Sequence, residues 1–362
     1  MGARIFRTFV MGARILRMLS WVSQDFRGLA GTVMGSRDHQ GAAIGGRDHQ
    51  GTVIHEVRSS AIERAARFDA HCHWAFTSNV QAVAQQAEND GLHVLSCTVS
   101  PMEYQQHTQQ MDSFPQVKVG LGLHPWRFSD VQPTQSSGHQ GQSVQQMQPS
   151  NQLDQPTNRL NRSVGEAQSA SQLGQPLYQP AEQDEFLELF PSAYFIGEVG
   201  LDFGRAHAAT RDEQVAFFSR AMREVAVQAR RGVGHVVSIH AVAAAGAVMD
   251  AADVVCAQEG CCCILHWFSG TSSELTRAIR SGYYFSVGER MLATRRGRAY
   301  AQAIPADRLL LETDWPSKPE DPFEYVDYRA RLVRAAQTLA DLRGEDILNQ
   351  IVATNARVLG AE

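Results

Sequence analysis

A chain of 362 residues, 43% hydrophobic and 20% charged, suits a globular protein of one large domain or two ordinary ones. A net charge of −5 and a pI near 6.2 exclude a global basic footprint for coating a nucleic-acid duplex, although a nuclease would draw local positive charge from bound cations. Six cysteines, three of them consecutive at Cys261–Cys263, suit neither a disulfide framework nor a zinc-type CxxC pair. No apolar run reaches the roughly 18 residues of a membrane span, so a reduced, cytoplasmic protein without stable membrane association is expected.

Residues 1–20 repeat a decamer, Met1–Val10 and then Met11–Ser20. Arg4, Arg7, Arg14 and Arg17 carry positive charge there, and no acid occurs. The helical, amphipathic spacing leaves a membrane-surface helix, an organelle presequence and a dispensable extension open. Phe6 stands where a myristoylation signal needs Ser or Thr, so Gly2 is not a lipid anchor. A second repeat, Gly35–Ile44 and Gly45–Ile54, contains His39 and His49. It is Gly-rich and aperiodic, which reads as linker.

From Phe68 the texture changes. Strands are predicted at Phe68–His73, His93–Val99, Val117–His124, Tyr194–Leu201, Val236–Val242, Cys261–Phe268, Tyr283–Val287 and Leu309–Thr313. Helices are predicted between them near 78–90, 101–112, 210–231, 243–259, 272–281 and 294–303, with a final pair at 322–342 and 345–358. Strands alternating with helices in this way predict an α/β fold, a (β/α)8 TIM-type barrel. Residues 129–183 break the rhythm with 14 Gln and scattered Ser, Pro, Asn and Gly. They read as a disordered, low-complexity insertion after strand 3. The expected domain plan is a flexible N-terminal extension over 1–66 and one barrel over 67–362.

The strand ends carry the chemistry. Strand 1 ends in His71 and His73, which alternation places on one face, with Cys72 on the other. Strand 3 ends in His124, strand 4 carries Glu198 and Asp202, and strand 5 ends in His240. Strand 6 carries His266, and strand 8 runs Leu309-Leu310-Leu311-Glu312-Thr313-Asp314. Polar groups ending apolar runs cost free energy unless a partner or metal compensates them. In a barrel those ends meet at one mouth, where nitrogen and oxygen donors suit two divalent ions such as Zn, Mn or Mg.

The order His-x-His, Gly-x-His-Pro, Gly-Glu-x-Gly-Leu-Asp, Ile-His, His-x-Phe-Ser-Gly and Glu-Thr-Asp resembles the TatD-type metal-dependent deoxyribonucleases of the amidohydrolase superfamily. The resemblance covers about 68–128 and 184–360. It implies that His71, His73 and Asp314 bind a first metal, that Glu198 bridges, and that His240 and His266 bind a second. It places His124 against the substrate phosphate and leaves Asp202 between loop bracing and substrate contact. It implies catalytic roles for Asp314, as acceptor of a proton from water, and for Glu198. The implied activity is 3′-5′ exonuclease action on single-stranded or nicked DNA, with DNA as partner.

Two positions depart from the pattern. Trp74-Ala75 stands where the family often has Leu-Asp, and Val242 where it often has Arg. Trp74, Trp126, Trp267 and Trp315 lie near the motifs, as base-stacking platforms or as packing under the mouth. Trp267 after His266, with Tyr284–Val287 and Leu309–Asp314, also looks like a TatD-like branch encoded in antiviral defence operons, which would bring complex partners. The rival readings are a cyclic-amide amidohydrolase and a weakly active barrel subunit of a complex. Strand 4 offers Glu198 and no Lys to be carboxylated, which favours the nuclease over the first, and the complete ligand set argues against the second.

Overall fold

The computed structural model describes residues 60–128 and 180–361. The N-terminal repeats and most of the Gln-rich stretch lie outside them. Eight parallel strands follow one another around the sheet: β1 (Phe68–Cys72), β2 (His93–Cys97), β3 (Val117–Leu123), β4 (Phe195–Asp202), β5 (Val236–Val242), β6 (Cys262–His266), β7 (Tyr284–Val287) and β8 (Leu309–Leu311). Ladders join each to the next, and two backbone bonds draw β8 back to β1: Asp314 N to His71 O at 2.9 Å and His73 N to Trp315 O at 3.3 Å. This is the predicted TIM-type barrel.

Outside the barrel run α1 (Val80–Asn89), α2 (Pro101–Met111), α3 (Pro180–Leu189), α4 (Arg211–Ala229), α5 (Ala245–Cys256), α6 (Ser272–Arg280), α7 (Glu289–Leu292), α8 (Arg295–Ala303), α9 (Tyr325–Arg343) and α10 (Asp346–Leu359). Their starts are chemically marked. Ser100 accepts the Glu103 N–H ahead of α2, with Pro101 in the first turn. Thr271 and Glu274 form a reciprocal capping box for α6, a device worth about 1 kcal/mol. Sequence reading missed α3, which begins within the 129–183 interval and buries Phe186, and the single turn α7. Ahead of β1, Ala61, Ile62, Ala65 and Ala66 are buried in the same core.

Two apolar layers result. The larger fills the space between strands and helices. The smaller plugs the barrel interior with Phe68, Ala70, Leu95, Cys97, Val236, Ile264 and Leu310, against Val358 and Leu359 of α10. Ala70 belongs to the interior layer and Cys72 to the outer one. The β1–β2 register shifts between Asp69 and Cys72, and such an irregularity re-aims side chains. It turns His71 and His73 into the mouth. A second shift, between Ile196 and Val199, flanks Glu198.

His107 of α2 is 1% exposed, and its Nε2 lies 2.9 Å from Ser96 Oγ, which also accepts the Trp74 N–H. Burial pushes its pKa down to about 4. Above pH about 6.5 the ring is neutral in the folded and unfolded chains. As pH falls from there towards 4, only the unfolded chain takes up the proton, so stability falls. His107→Gln should remove on the order of 2–3 kcal/mol of that loss. Urea unfolding at pH 7 and pH 4.5 checks this; equal acid sensitivity in both proteins would refute it.

Candidate metal centre

Glu198 is the hub. Its carboxylate is 2% exposed, and five imidazoles surround it. Oε1 lies 2.7 Å from His240 Nδ1, 2.8 Å from His266 Nε2 and 3.3 Å from His124 Nε2. Oε2 lies 3.2 Å from His73 Nε2 and 3.5 Å from His71 Nε2. Asp314 Oδ1 is 3.6 Å from His73 Nε2 and 3.8 Å from His71 Nε2. All six residues expected as ligands therefore converge on one cluster, Glu198 from the middle of β4 and the others from near the C-terminal ends of their strands.

A second layer orients the rings. His73 Nδ1 faces the Cys97 carbonyl at 3.1 Å, which can only accept, so in the neutral ring Nε2 is the bare nitrogen facing inward. His71 Nδ1 meets Ser238 Oγ at 2.7 Å. His124 differs. Its Nδ1 accepts the Trp126 N–H at 3.1 Å, so its Nε2 carries the proton and acts as a donor. That favours contact with an anionic oxygen over metal ligation.

Electrostatics follow from burial and from the carboxylates. Burial works against a charged His73, but Asp314 and Glu198 outweigh it and lift the pKa to about 10. His240 rises to about 9 against burial, through Asp202 and Glu198. Burial pushes His71 and His124 down to about 4. Glu198 would be raised by burial, yet its imidazoles, His124 and His266 first, hold it well below the carboxylate range.

Three supporting carboxylates lie around the hub. Asp69 Oδ1 accepts N–H bonds from His71 and Thr313 at 3.0 and 3.1 Å; Oδ2 accepts hydroxyls from Thr313 and Tyr328 at 2.6 and 2.7 Å. Glu312 accepts the Trp267 N–H at 3.0 Å and the Ser286 hydroxyl, with Oε2 3.9 Å from His266 Nδ1. Neither was singled out in the sequence, because apolar runs end in polar residues for many reasons. Asp202 accepts Trp126 Nε1–H at 2.8 Å and Gly204 N–H at 2.7 Å, and Oδ2 lies 3.4 Å from His240 Nε2. Its observed contacts are bracing ones.

A cavity of about 700 Å³ opens over the cluster. Trp126, 50% exposed, and Trp267 line it. Trp74 does not: it is fully buried, edge-on to Tyr328 at 5.6 Å, because the core under the mouth claims it. Trp315 is partly buried beneath Arg290 and Arg331.

The donor set fits divalent cations. His71, His73 and Asp314, then His71, Glu198 and His266, then His124, Glu198 and His240 each bring ligand atoms within 4.8 Å of one another. The Nε2 atoms of His71 and His73 also face each other at 3.2 Å, a contact that a shared cation would satisfy.

A parallel barrel with histidines and carboxylates gathered at its C-terminal mouth defines a metal-dependent hydrolase. The family model described as TatD related DNase matches residues 68–359, and the chain belongs to that family. The 3'-5' ssDNA/RNA exonuclease TatD of Escherichia coli (strain K12) is 29% identical over 192 residues, which are 50% of this chain and 71% of that protein. Its namesake in Edwardsiella piscicida is 32% identical over 180 residues, 47% and 66% of the two chains. The putative deoxyribonuclease TATDN3 of Mus musculus is 29% identical over 163 residues, 44% and 53%. In fold, the crystal structure of a hydrolase TatD family protein from Entamoeba histolytica is similar with TM-score 0.54 at 14% identity, over 82% of this chain and 98% of the other.

Proposed function

We propose that the protein is a two-metal phosphodiesterase that shortens single-stranded nucleic acid from its 3′ end. The observation that carries this reading is Glu198, buried among five imidazoles at the floor of an open cavity. His71, His73 and Asp314 would hold one ion and His240 and His266 another, with Glu198 as the carboxylate common to both sets. Mg, Mn or Zn bound there supplies Lewis-acid charge for the phosphoryl oxygens and acidifies water. Asp314, whose side chain is 15% exposed and borders the cavity, accepts the proton from the attacking water. His124 offers its Nε2–H to a phosphoryl oxygen. Asp202 holds Trp126 and the loop after β4 in place.

Residues 1–59 and 129–179 are proposed as appendages of this catalytic barrel, on composition alone; the expected boundary at 66 moves back, because Ala61, Ile62, Ala65 and Ala66 belong to the core, and 180–183 belong to α3. No helix among the described residues is long and apolar enough to cross a membrane. Reduced, unpaired cysteines suit the cytoplasm.

The test is metal analysis joined to end-labelled single-stranded DNA, duplex DNA and RNA, with and without chelator. Stepwise shortening from the 3′ end of single strands is expected, lost on chelation and restored by a divalent ion. Chelator-resistant shortening, or no shortening of any nucleic acid, would remove the reading.

A further inference from the structure

We propose that Arg290 is the phosphate clamp of the cavity, gripping a backbone phosphate of a single-stranded nucleic acid; this rests on the nuclease reading above. The cavity wall carries three cations, Arg127, Arg290 and Lys318. Arg127 is taken, in a forked ion pair with Glu182. Lys318 is exposed on a flexible stem. Arg290 makes no ion pair with a carboxylate among the described residues, yet it is held firmly.

Its guanidinium lies within cation–π distance of two indoles, 5.6 Å from the Trp267 ring and 5.1 Å from the Trp315 ring. Contacts of that kind use the cation's charge and consume none of its five N–H donors. One of those donors, Nη1–H, is fixed on Ser317 Oγ at 2.6 Å. Ser317 is itself anchored, its hydroxyl on the Asp314 carbonyl at 3.0 Å and its N–H on Asp321 at 2.9 Å. Arg331 also lies 4.2 Å from the Trp315 ring, but it is 3.6 Å from Glu289, a carboxylate it shares with Arg334, and it does not line the cavity.

The near indole is held at a conformational cost. Trp267 has φ +38°, a left-handed backbone that a bulky residue rarely adopts, and its N–H is pinned on Glu312 Oε1 at 3.0 Å. Such strain persists only where surrounding contacts impose it. Here its outcome is an indole laid against a guanidinium at the rim of a metal cluster. A guanidinium held in this way, with one donor on Ser317 and no carboxylate in ion-pair contact among the described residues, keeps donors for the oxygens of a phosphodiester. Ala241 and Val242 also line the cavity and carry no charge, so they offer a phosphate no competing partner.

The experiment uses the full-length, metal-loaded protein and a labelled oligothymidylate. KM and kcat are measured over a range of KCl concentrations for wild type, Arg290→Ala, Arg290→Gln, Arg290→Lys and the surface control Arg220→Ala. Binding is measured separately by anisotropy in chelator. Loss of a charge-assisted contact should raise KM about tenfold or more with kcat little changed. The salt slope should fall by about 0.7, the share of one single-strand phosphate contact. Lys should rescue KM only in part, and Arg220→Ala should match wild type. Arg290→Gln keeps much of the stacked stem, so an unchanged melting temperature separates a lost contact from a loosened wall. Wild-type KM and salt slope in a folded Arg290→Gln variant would overturn the clamp and leave the nuclease reading standing. A wild-type protein that neither binds nor hydrolyses oligothymidylate at any salt would overturn both.

Discussion

Glu198→Gln is expected to abolish hydrolysis, lowering kcat by at least about 10³-fold, and to strip metal from the protein while the barrel stays folded. The amide keeps the volume of the carboxyl and removes its charge. That charge is the common partner of five imidazoles, at 2.7 to 3.5 Å. Without it, both proposed metal positions lose the anion they share. The fold should survive because the interior plug of Phe68, Leu95, Ile264 and Leu310 is a separate layer. Metal content, circular dichroism and turnover on single-stranded DNA check the three parts together. Wild-type-like turnover in the purified variant would sink the assignment of the hub.

Asp314→Asn should cost about 10²- to 10⁴-fold in kcat, the usual range for a general base, with KM for oligonucleotide little changed. Asp314 is the cluster carboxylate with partial access to the cavity, while Glu198 is sealed beneath it. Although burial raises its pKa, His73 and its neighbours hold it below the ordinary aspartate value, so it stands ionised and ready to accept a proton. An isosteric amide can still point an oxygen at a cation but accepts no proton. Equal losses in kcat and in metal content would instead reduce Asp314 to a ligand. Unchanged kcat would remove it from the mechanism.

Most of the architecture was legible because every strand of the barrel is a short, largely apolar run, and six of the eight, β1, β3, β4, β5, β6 and β8, carry a His or a carboxylate in their C-terminal halves or on the residue just after. The proposed ligands His71, His73, His240, His266 and Asp314 were legible for the same reason: a strand end has one destination in this fold. What escaped depends on three-dimensional adjacency. α3 is flanked by Gln-rich chain, and its apolar cue, Phe186-Leu187-Glu188-Leu189-Phe190, is brief. Trp74 follows the His pair directly, yet the chain turns into a 3-10 turn at Trp74–Phe76 and buries the indole away from the cavity. Asp69 and Glu312 became recognisable only when their acceptors were seen filled by backbone amides and hydroxyls. Arg290 has no sequence signature, since its meaning comes from two indoles contributed by the ends of β6 and β8.

The seam between the last strand and the first has a consequence of its own. The bonds that close it, Asp314 N to His71 O and His73 N to Trp315 O, each involve a proposed ligand, and Asp69 ties the same two strands together just below. Ions seated there would work as a rivet through the one joint of the barrel that lacks a full ladder. Metal retention would then add to a closure that the apolar plug already secures, so that a variant selected for tighter metal retention would also resist unzipping from its ends.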